Sequence, residues 1–562
     1  MSLLATDRTT ARARRLLAAL AALTALAVTL AVATSTREAE GAAGPNVIFI
    51  LTDDQTASEL SVMPNTKALL AGQGVTFRRA YASYPLCCPS RATLLSGQYM
   101  HNHGVRGNLG IYGGWGRFIP HEANALPART DDRGYYNIHI GKYMNAYTTT
   151  GVPPLPVPPG WDEWYGKISE DSLYFNYSLI EKTGPSDTPS IEHYGGQVSD
   201  YQTDTLREKA IDFVDHLSTG QRPFMMNLWF NAPHAPFEPA PRHLFTRSPV
   251  NLPKPPGFNE KDISDKPRWL RKQAKKRLNK GVRRLITGER RRREEQLLSV
   301  DDAVGMLVHS LATEGLLDET YIVFASDNGF FRGEHRIAGG KYLPYEPSSR
   351  VPLVIRGPGI PTGTSDELVT LGDIPQTILD IAGDPDPARD GRSLLPFARD
   401  PALRSTRPVL LEGDTGRRRT GAGDPASASR ARASVAKAGL AGKRGVKNLD
   451  QERSPVASVA LASGNFAPPY RAIRTDRYLY VLYGNGQSEL YDMKRDPAQL
   501  RSLAANPRYR PVRKFLFNSL IPLSTCAGAS CRVQIGVEPR PLRGPPPKPK
   551  SKNKKKKGKP ER

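Results

Sequence analysis

The chain has 562 residues, of which 39% are hydrophobic and 24% charged, and it contains only four cysteines. This length is more than one simple domain needs, the composition is that of a globular protein, and the cysteines are too few for a disulfide-rich scaffold. The net charge of +24 lies almost wholly in residues 266–293 and 540–562. A nucleic-acid-coating protein would spread its basic residues over the folded surface, so we expect no nucleic acid partner.

The N-terminal residues 1–33 have the pattern of a secretory signal peptide. Four arginines between Arg8 and Arg15 precede an uncharged segment, residues 16–33, which ends in Ala31-Val32-Ala33. Basic, apolar and small-residue regions in this order are typical of cleaved signals. An uncleaved membrane anchor is the alternative, because eighteen apolar residues can just span a bilayer. Both interpretations predict a secreted, periplasmic or cell-surface protein, in which we expect Cys526 and Cys531 to be paired.

Four short apolar, β-prone runs are each followed by polar residues that could carry chemistry. The runs and the residues that follow them are 47–51 before Asp53 and Asp54, 135–140 before Lys142, 224–230 before His234, and 321–325 before Asp327 and Asn328. Continuous apolar runs suit strands buried on both faces of a mainly parallel sheet, and residues 297–311 carry the apolar stripe of a helix. Because ligands bind beyond the carboxyl ends of such strands, the polar residues are expected to converge.

Two of these polar pairs predict a metal site. Asp53, Asp54, Asp327 and Asn328 would supply four hard oxygen ligands, three of them anionic, which suits Ca²⁺ or Mg²⁺. Either pair alone could merely end a strand or begin a turn. Two such pairs after similar strands favour the metal.

The sequence changes character after about residue 395. Residues 413–454 are rich in Ala, Gly, Ser and Arg and predict a disordered insertion, whereas residues 470–474, 478–483 and 489–492 predict strands around a tight turn. We therefore expect a catalytic domain at 44–395 and a smaller C-terminal domain at 396–535. A basic disordered tail is expected at 539–562.

Residues 87–97 combine two cysteines with helix signals. They read Cys-Cys-Pro-Ser-Arg-Ala-Thr-Leu-Leu-Ser-Gly, in which Pro89 suits the first turn of a helix and Gly97 its end. A cysteine at the start of a helix lies where the backbone N–H groups favour negative charge. The residues alone indicate either an anion site with a reactive thiol or a buried cysteine pair.

This segment resembles the Cys-x-Pro-Ser-Arg-x-x-x-x-Ser-Gly motif of the sulfatases, within the alkaline phosphatase superfamily. The resemblance runs from about Pro45 to Asn506. It is nearest to the N-acetylglucosamine-6-sulfatase branch, which the sequences at 87–89, 141–147 and 159–164 resemble. It implies an α/β fold with a large, mainly parallel sheet sandwiched by helices. A smaller α+β C-terminal domain would carry an antiparallel sheet.

The resemblance also implies the roles of individual residues. Cys87 would be converted to formylglycine by a formylglycine-generating enzyme and would lie against one Ca²⁺, with Asp53, Asp54, Asp327 and Asn328 as the other ligands. Arg91 would hold the formylglycine hydrate, Lys142 and Lys341 would bind sulfate oxygens, and His234 would lie near the leaving group. His335 is a further candidate for substrate contact. Many sulfatases have a histidine where this chain has Met144.

These features predict a secreted sulfuric ester hydrolase acting on sulfated sugars, such as N-acetylglucosamine 6-sulfate, or on aryl sulfates. Two alternatives stay open at this point: a phosphate or phosphonate monoester hydrolase of the same superfamily, and a non-catalytic polyanion-binding protein. The basic tail could associate with an anionic cell surface. The basic stretch at 266–293 could attract a sulfated polysaccharide, or could be only a solvated helix or loop.

Overall fold

The computed structural model describes residues 44–147, 155–169, 171, 173–216, 222–247, 254–414 and 467–544. The predicted signal peptide, residues 415–454 of the predicted insertion and residues 545–562 of the predicted tail lie outside these ranges. Among the described residues, no helix combines the length and the apolar character that a membrane span requires.

The described strands form two sheets. They are β1 (Asn46–Thr52), β2 (Val75–Tyr81), β3 (Tyr136–Gly141), β4 (Glu163–Lys167), β5 (Tyr177–Lys182), β6 (Ser190–Tyr194), β7 (Phe224–Trp229), β8 (Thr320–Ser326), β9 (Arg350–Val351), β10 (Leu353–Arg356), β11 (Gly363–Thr370), β12 (Val409–Gly413), β13 (Tyr470–Arg474), β14 (Tyr478–Tyr483) and β15 (Ser488–Asp492).

Helices cover the larger sheet and one face of the smaller one. The α-helices are α1 (Cys87–Ser96), α2 (Met100–His103), α3 (Trp115–Phe118), α4 (Leu126–Asp131), α5 (Gln202–His216), α6 (Arg268–Gln273), α7 (Lys280–Thr313), α8 (Glu346–Ser349), α9 (Asp373–Ile381), α10 (Leu395–Arg399) and α11 (Arg510–Leu523). Shorter helical turns lie between them.

The larger sheet has eleven strands among the described residues, in the order β11-β2-β10-β8-β1-β7-β3-β4-β5-β6, with β9 paired to β2. Its centre is formed by the four strands that the sequence predicts. Strand β1 pairs in parallel with β7 and β8, and β3 pairs in parallel with β7. The carboxyl ends of these four strands therefore meet at one edge of the sheet.

Both faces of this sheet are buried. Val47, Phe49 and Leu51 of β1 enter one hydrophobic core, whereas Ile48 and Ile50 enter the other, because side chains alternate along a strand. Helix α9 contributes to the first core, and α5 and α7 contribute to the second. The predicted α/β fold, with a mainly parallel sheet sandwiched by helices, is confirmed.

Helix α7 is longer than its apolar stripe predicts. It begins at Lys280, and the side chain of Asn279 caps it by accepting a hydrogen bond from the Val282 N–H at 2.9 Å. The added turns, residues 280–296, are mostly polar and rich in Arg and Lys, which have high helix propensity, and their side chains range from exposed at Lys280 to buried at Arg293. A mostly polar half-helix gives no hydrophobic period, so periodicity alone could not find it.

The smaller sheet is antiparallel and has the order β12-β13-β14-β15. The three predicted strands are confirmed, and β12 is an additional one that runs as far as Gly413, where the predicted insertion begins. Helix α11 packs on this sheet together with the Cys526–Cys531 disulfide, which is also as predicted. Strand β12 is short and contains the charged Glu412, which hides its β character in the sequence.

Candidate active site

The polar residues that follow the four central strands converge at one edge of the large sheet. Backbone hydrogen bonds hold their loops together: Asp53 N–H donates to Ala232 O at 3.1 Å, and Asp327 N–H donates to Thr52 O at 3.1 Å. Lys142 N–H donates to a carbonyl at the end of β7, at 2.9 Å. The strand ends that carry the candidate residues are thus hydrogen-bonded to one another.

Helix α1 places Cys87 in the same pocket. The helix begins at Cys87 and ends before Gly97, which has a φ of +69°, so both helix signals in the sequence are confirmed. The Ser90 hydroxyl donates to Asp327 O at 2.6 Å, which fixes the helix against the end of β8. Cys87 Sγ lies 3.3 Å from Asp53 Oδ1 and 2.7 Å from Lys341 Nζ, and the cysteine is fully buried.

The two acidic residues after β1 are arranged by an unusual backbone conformation. Asp54 has a φ of +70°, in the left-handed region that Asp and Asn tolerate better than most residues. Its N–H donates to Asp327 Oδ1 at 3.2 Å, and its Oδ1 accepts from Asn328 Nδ2 at 2.6 Å. The residues after β1 and β8 thus form one hydrogen-bonded cluster.

Three cationic side chains surround the carboxylates. Arg91 donates from Nε to Asp327 Oδ2 at 2.9 Å and from Nη2 to Asp53 Oδ2 at 3.2 Å. Lys142 Nζ lies 2.5 Å from Asp53 Oδ2, and Lys341 Nζ lies 2.5 Å from Asp54 Oδ1. All of these side chains are buried, so their charges interact with little screening by water.

This crowding of charges shifts the pKa values of the acidic groups. Burial alone would raise the pKa of Asp53, but Lys142 and the other nearby cations hold it well below its ordinary value. Burial raises the pKa of Asp327 to about 7, and the Asp53 carboxylate adds to this rise. Burial, again with Asp53, raises the pKa of the Cys87 thiol well above its ordinary value. The unmodified thiol is therefore a poor nucleophile at neutral pH.

His234 presents one ring nitrogen to the cluster. Its Nδ1–H donates to Ala235 O at 2.6 Å, which leaves Nε2 without a proton and 3.8 Å from Asp54 Oδ2. Burial lowers the pKa of this imidazole. His234 is thus a neutral side chain that can accept a proton or ligate a metal.

The residues fit a hard divalent cation. One ligand atom from each of Asp53, Asp54, Cys87 and His234 lies within 4.8 Å of the other three. Asn328 Oδ1 is buried and receives no hydrogen bond from any described residue, as expected of an oxygen aimed at a cation. Asp327 stands at the margin of this set, because its oxygens accept from Arg91 and from the Asp54 N–H. Carboxylate and amide oxygens are the ligands that Ca²⁺ prefers.

The sequence did not predict that Arg293 and Glu59 belong to this region. Arg293 is the last residue of the basic stretch 266–293, but it is buried and donates from Nη2 to Asp54 O at 2.7 Å. It also forms an ion pair with the buried Glu59, at 2.9 Å. A signal was present, because Arg293 lies four and seven residues before Leu297 and Val300, on the buried face of the same helix.

The described contacts of His335 and Met144 are with groups outside the cluster. His335 Nδ1 is 2.7 Å from Glu260 Oε2, and its ring packs against Tyr345. Met144 Sδ is 3.4 Å from the sulfur of Cys88 rather than beside Cys87. Met144, at the position where many sulfatases have a histidine, therefore packs against the second cysteine, Cys88.

Comparison with known proteins gives one consistent result. The family model described as Sulfatase matches residues 45–384. The N-acetylglucosamine-6-sulfatase of Homo sapiens is 33% identical over 513 residues, which cover 88% of this chain and 87% of that protein. The extracellular sulfatase SULF-1 homolog of Drosophila melanogaster is 36% identical over 67% of this chain and 33% of its own length.

Solved structures share the fold. One, a complex with the substrate D-glucosamine-2-N,6-O-disulfate, aligns with a TM-score of 0.63 at 23% identity and covers 85% of this chain and 97% of its own. The phosphonate monoester hydrolase of Agrobacterium radiobacter aligns with a TM-score of 0.60 at 22% identity and covers 85% of this chain and 95% of its own. The fold alone therefore does not distinguish sulfate from phosphonate esters.

Proposed function

Since this chain belongs to the sulfatase family and is a sulfuric ester hydrolase, we propose that its nucleophile is a formylglycine made from Cys87 and that it works beside one Ca²⁺ ion. The ligands of the ion would be Asp53, Asp54, Asp327, Asn328 and the modified side chain of residue 87. The observation that carries the proposal is the position of Cys87 Sγ, 3.3 Å from Asp53 Oδ1 and 2.7 Å from Lys341 Nζ. A thiol with a raised pKa is unsuited to attack, whereas an aldehyde hydrate at this position would supply hydroxyl groups.

A bound Ca²⁺ would supply Lewis acidity, which lowers the pKa of a neighbouring hydroxyl and offsets negative charge on the sulfuryl group. Arg91 donates to Asp327, to Asp53 and to the carbonyls of Lys142 and Tyr143, and it would orient the hydrate of residue 87. Lys142 and Lys341 would bind sulfate oxygens and stabilise the charge that develops on them. One hydroxyl of the hydrate would attack the sulfuryl group, so that an O–S bond to residue 87 forms as the S–O bond to the alcohol breaks. The second hydroxyl would then lose its proton to water while its C=O bond forms and the C–O bond to sulfate breaks, which restores the aldehyde.

The leaving alcohol needs a proton. His234 is buried with Nε2 3.8 Å from Asp54 Oδ2, so once this atom has taken up a proton the imidazolium could transfer that proton to the departing oxygen. Lys142 or Lys341 is the alternative donor, since both ammonium groups lie in the same cluster. A pH profile of kcat for His234→Gln separates them: a proton donor must be protonated to act, so only loss of the histidine as donor would remove the fall in kcat on the alkaline side of its pKa.

For the substrate, we propose a sulfated sugar of the N-acetylglucosamine 6-sulfate type, with aryl sulfates as simpler substrates. The support is the relative from Homo sapiens, which covers most of this chain. The second candidate, a phosphate or phosphonate monoester, is favoured by the near-equal likeness to a phosphonate monoester hydrolase. Hydrolysis of N-acetylglucosamine 6-sulfate, an aryl sulfate, an aryl phosphate and an aryl phosphonate at equal concentrations decides between them. Faster turnover of the phosphorus esters would refute the assignment, and turnover of none would indicate a non-catalytic protein.

We also propose that the chain is exported and matured by a formylglycine-generating enzyme. The basic, apolar and small-residue pattern of residues 1–33 and the relative named as extracellular support export. The division into a catalytic domain at 44–395, a C-terminal domain at 396–535 and a basic tail at 539–562 is part of the same proposal. The tail would hold the enzyme on an anionic cell surface. Fractionation of expressing cells, with and without residues 1–33, tests export.

A further inference from the structure

A groove of about 480 Å³ lies on the surface beside the first turns of α7. Five of the side chains that line it are cationic, and none of the described residues that line it is acidic. The five are Lys254, Lys280, Arg283, Arg284 and Arg291. A concave surface with charges of only one sign concentrates ligands of the opposite sign.

The cations from α7 share one face of the helix. Lys280, Arg283, Arg284 and Arg291 are spaced at i, i+3, i+4 and i+11, and residues at such intervals lie above one another on a helix surface. Eleven residues of helix span about 16 Å, so this row of charges is much longer than one sulfate group. Gly288 lies in the same row, and an added Cβ there would meet no other atom within 4 Å. The groove thus suits an extended, repeating anion.

Most of these charges have no ionic partner within the described part of the chain. Lys280, Arg283 and Arg284 are exposed and form no ion pair with any residue in the described ranges. Arg291 is half-buried, with Nε 3.8 Å from Glu295 Oε1. By contrast, Arg293 on the same helix is fully paired with Glu59. Cations that no protein carboxylate neutralises are available to an anion from solution.

The walls of the groove are directly linked to the active site. On one side, Phe258 forms a β-bridge with Glu334, and the Asn259 N–H donates to Gly333 O at 2.7 Å. That segment continues to Lys341, which contacts Cys87 and Asp54. On the other side, Arg293 follows Arg291 by two residues on α7 and donates to the backbone of Asp54.

We propose that this groove binds the sulfated residues of a polysaccharide whose sulfate ester is held at Cys87. The inference rests on the proposed function, because a sulfated sugar within a repeating chain carries further sulfates beside the one that is cleaved. The row ends at Arg291, two residues or about 3 Å along the helix axis before the Arg293 that contacts Asp54, so the groove adjoins the elements that hold the active site. Among the described residues that line the groove, Phe258 is the one aromatic side chain, so these residues offer no series of stacking platforms for nucleic acid bases.

The test compares three full-length variants that each lose three positive charges. The groove variant is Lys280→Gln/Arg283→Gln/Arg284→Gln. The surface control is Lys494→Gln/Arg495→Gln/Arg501→Gln, at three exposed positions of the C-terminal region. The tail control is Lys554→Gln/Lys555→Gln/Lys556→Gln. Each change is also made with Cys87→Ala, so that binding is measured without turnover.

Binding of labelled heparin and turnover of a 6-O-sulfated heparin oligosaccharide are then measured at several salt concentrations. We expect the groove variant to bind heparin about tenfold more weakly than the unaltered chain does. The slope of log affinity against log salt concentration should become shallower by about one for each cation removed. Its KM for the oligosaccharide rises accordingly, whereas kcat/KM for an aryl sulfate is unchanged. The surface control should match the unaltered chain in every measurement.

Several results would overturn the proposal. The proposal fails if the groove variant binds heparin as tightly as the unaltered chain. It also fails if the surface control loses as much heparin affinity as the groove variant, or if only the tail control loses heparin affinity. Binding of DNA of equal length as tightly as heparin, with the same sensitivity to the groove variant, would contradict the polysaccharide as occupant. If the unaltered chain hydrolyses no sulfate ester, the proposed function itself fails. If aryl sulfate turnover is normal and the groove substitutions do not weaken heparin binding, only the proposed role of the groove is refuted.

Discussion

Glu59 and Arg293 form a two-point ion pair next to the acidic residues of the active site. Arg293 Nε lies 3.1 Å from Glu59 Oε1, Nη2 lies 2.9 Å from Oε2, and both side chains are only 1% exposed. The same Nη2 also donates to the backbone oxygen of Asp54 at 2.7 Å. The pair therefore connects the long helix α7 to the turn that positions the proposed metal ligands.

Removing one member of this pair should destabilise the protein strongly. In Glu59→Gln the Arg293 charge stays buried without its counter-ion, and this typically costs about 3–5 kcal/mol of the free energy of unfolding. Urea denaturation followed by circular dichroism measures the loss. The matched control is Asp366→Asn, which breaks the exposed Arg78–Asp366 pair and should cost no more than about 1 kcal/mol. If both variants lost the same free energy of unfolding, burial would not make the Glu59–Arg293 pair more important for stability than the exposed pair.

The same pair gives the stability a defined pH dependence. Burial alone would raise the pKa of Glu59, but Arg293 and Arg332 lower it from 4.5 to about 2. The unfolded chain therefore takes up this proton at a higher pH than the folded chain, and the stabilisation is complete above pH 4.5 and is lost as the pH falls towards 2. Its full size is about 3 kcal/mol. The difference in free energy of unfolding between the native chain and Glu59→Gln should narrow steadily below pH 4.5. A constant difference from pH 6 to pH 3 would contradict this pKa.

The sequence predicts the centre of this fold well and its periphery less well. The four central strands are continuous apolar runs, because both faces of the sheet are buried, and such runs are visible without any contacts. Strand β12 and the first half of α7 lack this signature, since Glu412 and the basic residues after Lys280 replace apolar positions. Burial of a charged residue depends on a partner from elsewhere in the chain, and local sequence does not reveal that partner.

The candidate site shows the same limit. The motif around Cys87 and the polar residues after the strands indicate which side chains converge, because strand ends in a parallel sheet share an edge. The pairing of Glu59 with Arg293 joins residues far apart in the sequence, and the basic surroundings of Arg293 suggest an exposed residue. Lys266, at the other end of the same stretch, is also buried, with Nζ donating to Gln499 O at 2.7 Å. Counting charges in a stretch therefore overestimates the charge on the surface.

The two adjacent cysteines should respond very differently to substitution. Cys87→Ala removes the sulfur that lies 3.3 Å from Asp53 Oδ1 and 2.7 Å from Lys341 Nζ, and it should abolish turnover of an aryl sulfate while leaving the folded structure intact. Cys88→Ala removes buried packing that includes the contact with Met144 and leaves the Cys87 side chain unchanged, so it should cost about 1–2 kcal/mol of stability and keep most of the activity. Assays of both purified variants, with circular dichroism as the folding control, make the comparison. Full activity in Cys87→Ala would refute its assignment as the nucleophile.

Removal of divalent cations should inactivate the enzyme reversibly. Dialysis against a Ca²⁺ chelator is expected to lower kcat about a hundredfold or more, and added Ca²⁺ should restore it. Asn328→Ala loses the buried Oδ1 that lacks a donor, so it should require about tenfold more Ca²⁺ for half-maximal activity. Asn485→Ala, at an exposed turn, is the matched control and should require no more Ca²⁺ than the native chain. Full activity in the chelated protein would exclude the proposed metal.

The most direct test is the mass of the peptide that contains Cys87, taken from protein produced together with a formylglycine-generating enzyme. Conversion of the thiol to the aldehyde removes one sulfur and two hydrogens and adds one oxygen, and the fraction converted should be proportional to the sulfatase activity of the preparation. Active protein in which residue 87 remains entirely an unmodified cysteine would contradict the proposed mechanism.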